Sequence, residues 1–153
     1  MSNLVDIHGI STMTPEDMGL AERMVDAIGE FPQITIGTDH VIHAGLYART
    51  VTVARGLVVG GTVIKIPTLL IVNGDITLWV GEGHEKRYVG YHVLPASAFR
   101  RSVFIANADT SLTMIFATQA DSIYTAEDEF AEEPEKLMSR APGAINRITI
   151  TGE

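Results

Sequence analysis

The chain has 153 residues, 19 acidic and 11 basic side chains, a formal net charge of −8, an apolar fraction of 46% and no cysteine. That length and apolar share suit one domain with a proper core, and the missing thiols exclude disulfides, thiol catalysis and zinc–thiolate sites and suit a reducing compartment. No apolar run is long enough to span a bilayer, and the opening MSNLVDIHGISTM lacks the basic start and long apolar stretch of a signal peptide.

Residues 1–13 read as an irregular arm. Thr14-Pro15-Glu16-Asp17 then has the order of a helix start, with a capping hydroxyl, a proline for the first turn and acids for the dipole. Met18, Ala21, Met24, Val25 and Ile28 recur at helical spacing, and Gly29 is a suitable stop. From Gln33 the period becomes strand-like. His40 to Ala54 reads as one long strand or as a pair bent near Gly45. If the strand is continuous, His43, Tyr47 and Arg49 share a face and His40 takes the other; a bulge at Gly45 would split that row.

Arg55-Gly56 and Gly60-Gly61 mark turns. The stretch Gly60–Asp75, GGTVIKIPTLLIVNGD, predicts a strand broken at Pro67, a second strand, and a tight hairpin at Asn73-Gly74-Asp75 leading to Ile76–Val80. Residues 81–86 read as a polar loop. Arg87–Leu94, Ser102–Ala106 and Ser111–Ala117 read as strands, separated by turns at Pro95–Ala98 and Asn107–Thr110. A second, acidic helix starts near Thr125 and must kink or restart at Pro134. Ile145–Thr151 forms a last strand, at an edge or as an arm onto a neighbouring subunit. The expected fold is mainly β, a jelly-roll barrel over 40–120. An N-terminal arm and helix occupy 1–39, and an acidic helix with a C-terminal strand or arm occupies 121–153.

Charge divides along the same lines. Residues 1–39 hold seven acids and Arg23, residues 40–120 four acids and seven bases, and residues 121–153 eight acids and three bases, giving −6, +3 and −5. A mildly basic middle between acidic ends argues against duplex nucleic acid and leaves room for a small anionic ligand. Arg49, Lys65, Arg100 and Arg101, with Tyr47 and Tyr91, are the candidate liners of such a pocket. Arginine offers a planar fork for phosphate or carboxylate, and tyrosine can stack or donate a hydrogen bond. Lys65, between Ile64 and Ile66, either lies outside the barrel or points in while they pack outside. His40 and His43, three apart, fall on opposite faces of a strand. Glu127, Asp128, Glu129, Glu132, Glu133 and Glu135 read as a solvated helix face. No Ser-His-Asp arrangement or nucleophile elbow stands out.

Residues 40–118 resemble the cupin superfamily of double-stranded β-helix barrels. The likeness lies in the order of a Gly-rich turn, a strand, Val72-Asn73-Gly74-Asp75, a strand, Gly90-Tyr91-His92, the Leu94-Pro95-Ala96 turn and two further strands. The family's usual His-x-His pair is replaced by Ile64-Lys65-Ile66, and Arg100-Arg101 stands near its later histidine, so its metal set does not carry over. The stretches HVIHAGLYART and GYHVLPASAFRR also look like small cupin-like proteins of tailed bacteriophages.

These readings imply a non-enzymatic, phage-type protein in the host cytoplasm. It would bind a small anionic or nucleotide-like molecule, with sequestration of a host signalling molecule as its use. The ligand-binding set is His43, Tyr47, Arg49, Lys65, Tyr91, Arg100 and Arg101, with no cofactor. The protein is expected to be a homo-oligomer joined through its terminal extensions, with neither duplex nucleic acid nor membrane as partner. Two alternatives remain: a virion structural or decoration protein, and a metal-dependent cupin enzyme using His43 and His92.

Overall fold

The computed structural model describes residues 9–81 and 83–153. Most of the expected N-terminal arm, and Glu82 of the expected polar loop, lie outside them. Helix α1 (Pro15–Gly29) begins as the sequence dictates: the Thr14 side chain accepts a hydrogen bond from the Asp17 amide, and Pro15 occupies the first turn. The helix packs on two later strands, β3 (Val58–Ile64) and β6 (Arg100–Ala106), and buries Ala21.

Strands β1 (Thr38–His43) and β2 (Leu46–Val53) form an antiparallel hairpin. The turn residues Ala44 and Gly45 both have positive φ, 53° and 71°, as a two-residue hairpin requires. The chain therefore reverses where a continuous strand was one expectation. Tyr47 now pairs with Ile42 and Arg49 with His40. The histidine on the face of Tyr47 and Arg49 is thus His40, and His43 points to the other side.

Strand β3 (Val58–Ile64) contains the Gly60-Gly61 pair as a bulge rather than a turn: Gly60 pairs with Val103 and Val63 with Arg101, one extra residue on the β3 side. Strand β4 (Thr68–Gly81) runs unbroken through Asn73-Gly74-Asp75. The expected hairpin there is absent. Gly74 (φ 149°) instead pairs with Gly90 (φ 91°) on strand β5 (His84–Ala96), so both strands bend at one level. A side chain at Gly74 would begin 2.3 Å from Thr110 Oγ1, so the position also needs the missing Cβ. The reversal comes later, between Gly81 and His84, where a polar loop was expected.

This bend organises the barrel. One edge of β4 pairs with β5 along its length. The other pairs with strand β7 (Thr110–Ala117) over Leu69–Asn73 and with strand β6 (Arg100–Ala106) over Ile76–Trp79. The sheet order is β3-β6-β4-β7-β2-β1-β8, where β8 (Asn146–Ile150) is an exposed edge strand parallel to β1. The fold is mainly β, a curled jelly-roll sheet whose two walls share β4. Inward positions alternate with outward ones: Val72, Ile76, Leu78, Leu94, Phe104 and Leu112 form most of one buried cluster. Each such side chain contributes about 1.5–3 kcal/mol relative to exposure.

A second cluster, with Ile42, Tyr47, Met114, Phe116 and Phe130, lies toward helix α2 (Ile123–Phe130). That helix starts two residues before Thr125 and is capped by Ser122, whose side chain accepts from the Thr125 amide. The helix ends at Phe130, where Ala131 turns extended, and Pro134 starts a short 3-10 turn over Pro134–Lys136, followed by another at Met138–Arg140.

Candidate functional site

Between the two walls lies a cavity of about 170 Å³. One wall carries Arg49, Val51, Leu70, Leu112 and Met114 from β2, β4 and β7; the other carries the bulge of β3 with Ile64, and Arg100 and Ser102 from β6. Phe130, Leu137 and Met138 close the mouth. The walls are placed by register, since Arg49 and Leu70 both pair with Met114, and Arg100 pairs with Ile64. The lining is apolar except for a few groups, the usual composition of a small-molecule site.

The two arginines of this cavity differ in charge balance. Arg49 donates to Glu127 Oε2 at 2.8 Å and to Ser139 Oγ at 3.1 Å, and its guanidinium lies over the Phe130 ring, 5.4 Å from its centroid. Glu127 is 1% exposed and also receives Arg140 Nε at 2.9 Å and the Ser139 hydroxyl. Burial pushes the Glu127 carboxyl up, but Ser139, Arg140 and Arg49 together hold it below the ordinary range. Arg49 is therefore a compensated cation.

Arg100 is not. It is 2% exposed, and its donors reach only neutral oxygens: Ser97 O at 2.7 Å, Thr68 Oγ1 at 2.6 Å and, weakly, Ile66 O. Its Nε is buried with no hydrogen-bond partner among the described residues. Burial alone lowers its pKa, to about 10, with no carboxylate acting against it. Arg100 thus remains charged at neutral pH, and of its five N–H donors the Nε–H and one on Nη2 are left without an acceptor among the described residues.

Glu127 also belongs to a ring of hydrogen bonds beside the cavity. Arg49 donates to the Tyr47 hydroxyl at 3.3 Å. Tyr47 and Asn146 Oδ1 each lie 2.7 Å from a ring nitrogen of His40. Asn146 Nδ2 donates to Ser139 O, and Ser139 closes the ring on Glu127. Because Asn146 Oδ1 only accepts, His40 Nε2 carries the proton and Nδ1 accepts from Tyr47. Burial lowers the His40 pKa against the hydrogen bond that Nε2–H donates to Asn146, which keeps the imidazole neutral, and burial raises that of Tyr47. The ring fastens β1, β2, α2, the second 3-10 turn and β8 together, and so holds the closing segment over the cavity.

Of the seven expected ligand-binding residues, the structure brings Arg49 and Arg100 to one cavity. Tyr47 is fully buried in the core beside it. The other four stand elsewhere. His43, displaced by the hairpin, is exposed and meets Thr151 Oγ1 at 2.7 Å. Lys65 lies outside the barrel, since Ile64 and Ile66 pack against the core instead. Tyr91 is on the outer face at 65% exposure. Arg101 alternates to the side of β6 opposite Arg100, where its Nε donates to Gly61 O and its amide meets Met13 Sδ.

His43 and His92 are not brought together. They sit on β1 and β5 with β2, β7 and β4 between, roughly 19 Å at the usual strand spacing. Among the described residues no group of three or more His, Asp or Glu side chains is placed to hold a metal ion.

The sequence does not single out Ser139 or Asn146, and it reads Glu127 as part of a solvated face. For Glu127 a signal existed. It falls in the stripe Ile123, Ala126, Phe130, so an acid in the packed face of α2 should have stood apart from its exposed neighbours.

No family model and no curated protein matches the chain. Solved structures similar to it include a cupin superfamily protein from Desulfitobacterium hafniense (14% identity, 72% of this chain and 96% of that one, TM-score 0.46). A cupin-2 domain protein from Shewanella frigidimarina is another (12% identity, 60% and 89%, TM-score 0.43). KdgF from Halomonas sp. is a third (20% identity, 60% and 88%, TM-score 0.46). At these scores the jelly-roll assignment rests on the strand order and register given above.

Proposed function

We propose that this barrel is a binding module for a small monoanion with a compact apolar body. The charge would lie on Arg100, and the body would fill the space between Leu70, Leu112, Met114 and Phe130. The observation that carries this reading is a buried, uncompensated guanidinium among the lining residues of a largely apolar cavity. A buried cation is costly unless it is paired, and an incoming carboxylate would supply both the counter-charge and the acceptor. One uncompensated cation matches one negative charge.

Size narrows the class further. A dry cavity of about 150 Å³ accommodates benzene, so about 170 Å³ suits a molecule of benzoate or isovalerate size rather than a whole nucleotide. The reading is one of binding without turnover. In a phage-encoded protein acting in host cytoplasm, this would amount to sequestration of a small host acid.

Thermal-shift measurements with benzoate, isovalerate, inorganic phosphate and adenosine monophosphate test the reading. A bound monocarboxylate at a hundredfold excess over Kd adds ~2.7 kcal/mol of stability, and only the monocarboxylates should produce it. Arg100→Met should fold, because it replaces a buried charge by an apolar chain of similar length, and should lose the shift. No shift from either acid at millimolar concentration, or a shift retained in Arg100→Met, would overturn the proposal.

A further inference from the structure

The two outer faces of the barrel differ. Helix α1 covers the outside of the β3–β6 wall. No helix packs on the outside of the β5-β4-β7-β2-β1 wall among the described residues. Its outward rows can be read from the register. One runs Pro95, Leu69, Ile115, Ala48, Val41 across five strands, and the next runs Val93, Ile71, Thr113, Thr50. A third runs Tyr91, Asn73, Ser111, Thr52. None of these positions is charged, in a chain where 20% of residues are. Charged or ionisable side chains appear at the rim, at Asp39, His43 and the Asp75–Arg87 ion pair. Several of the apolar side chains are well exposed, Leu69 at 45%, Val93 at 50% and Tyr91 at 65%.

We infer that this face is where a second copy of the chain docks, wall to wall about a two-fold axis. Charge selects the occupant. An isolated protein of net charge −8 would recruit a basic partner through an acidic face, or a nucleic acid or anionic membrane through a basic one. A face with neither sign matches a partner surface that is also uncharged and β-branched, and the chain's own wall is one. A two-fold axis places the same patch on both sides of the contact, and self-repulsion of two acidic copies is least through a patch that carries no charge.

Size agrees. Five strands at ~4.8 Å and about seven residues at ~3.3 Å project to roughly 500 Å². Standing side chains raise the accessible area toward the roughly 800 Å² per partner of an ordinary stable interface. This places the contact on the bare wall and not on the terminal extensions, of which α2 and its following turns are already folded onto the barrel mouth.

Sedimentation equilibrium of the full chain at micromolar concentration tests the inference. Wild type should sediment at twice the 16.6 kDa chain mass. Leu69→Glu and Tyr91→Glu, each burying a charge in an uncharged contact between two acidic copies, should halve that mass while circular dichroism stays native. Tyr91 is the more exposed of the two, so its variant keeps the test sound if Leu69→Glu unfolds. Phe31→Glu, at an exposed site following α1, should leave the dimer intact. A monomeric wild type, a dimer that survives Tyr91→Glu, or a dimer broken by Phe31→Glu but not by Tyr91→Glu would each overturn it.

Discussion

Arg49 and Arg100 line the same cavity under opposite electrostatic conditions. Arg49 is matched by Glu127, and Arg100 meets only neutral oxygens. The consequences of removing a partner differ accordingly. Glu127→Gln would leave Arg49 buried without its counter-charge and open the ring that includes Ser139 and His40. Breaking a buried pair from one side costs about 3–5 kcal/mol, so urea unfolding should show a loss near the lower end of that range, since glutamine keeps part of the hydrogen bonding. Arg100→Met carries no such penalty, because no carboxylate is orphaned. The arginines themselves could be picked out from the sequence as the planar cations of an apolar barrel. Which of them was already paired could not, because the carboxylate that decides it comes from α2, 78 positions away from Arg49.

At the scale of elements, the bend of β4 is the feature on which the two walls depend. The Asp75 amide donates to Thr110 Oγ1 and the Asn107 amide to Asp75 O, while the Asp75 carboxylate takes a bidentate contact from Arg87 and a hydrogen bond from Asn107. Gly74→Ala would combine backbone strain with a clash against Thr110. Those effects together cost about 2–6 kcal/mol, and the variant should show a large drop in midpoint or fail to fold. Strand positions and the capped α1 were legible because alternation, capping and turn residues are local signals. Asn73-Gly74-Asp75 misled for the same reason: the dipeptide suits a hairpin, and the sequence does not display that Gly90 pairs with it and turns it into a bend within one long strand. At Ala44-Gly45 the sequence leaves a continuous strand and a bent pair both open, because alanine rarely takes positive φ; the pair is what forms, and this one turn moves His43 out of the polar row and His40 into it.

For the whole molecule, three perturbed groups give a common dependence on pH. The pKa of His40 is lowered below 6.5 first by burial, against its bond to Asn146. Glu127 is lowered below 4.5 although burial opposes it, through Ser139, Arg140 and Arg49. Asp75 is lowered to about 2, first by Arg87 and then by Asn107. Each group takes up its proton more readily unfolded than folded. Each therefore contributes stability that is full above its unfolded pKa and is lost as pH falls toward its folded one. Unfolding free energy should be flat between pH 7 and about 9, decline first below pH ~6.5 as His40 enters its window, and decline further below ~4.5 as the carboxylates follow. A His40→Gln variant should lose the first decline and keep the second, as urea midpoints across the pH range would show.

The proposed ligand contact has a direct reporter in the Arg100 Nε–H. In a nitrogen-15 correlation spectrum, the arginine Nε–H signal that disappears in Arg100→Lys identifies it. Titration of the wild-type protein with benzoate should move that signal downfield and to saturation as a carboxylate oxygen accepts its hydrogen bond, while inorganic phosphate and adenosine monophosphate leave it in place. A signal unmoved by millimolar benzoate, or moved equally by all three anions, would contradict the assignment of the cavity as a monoanion site.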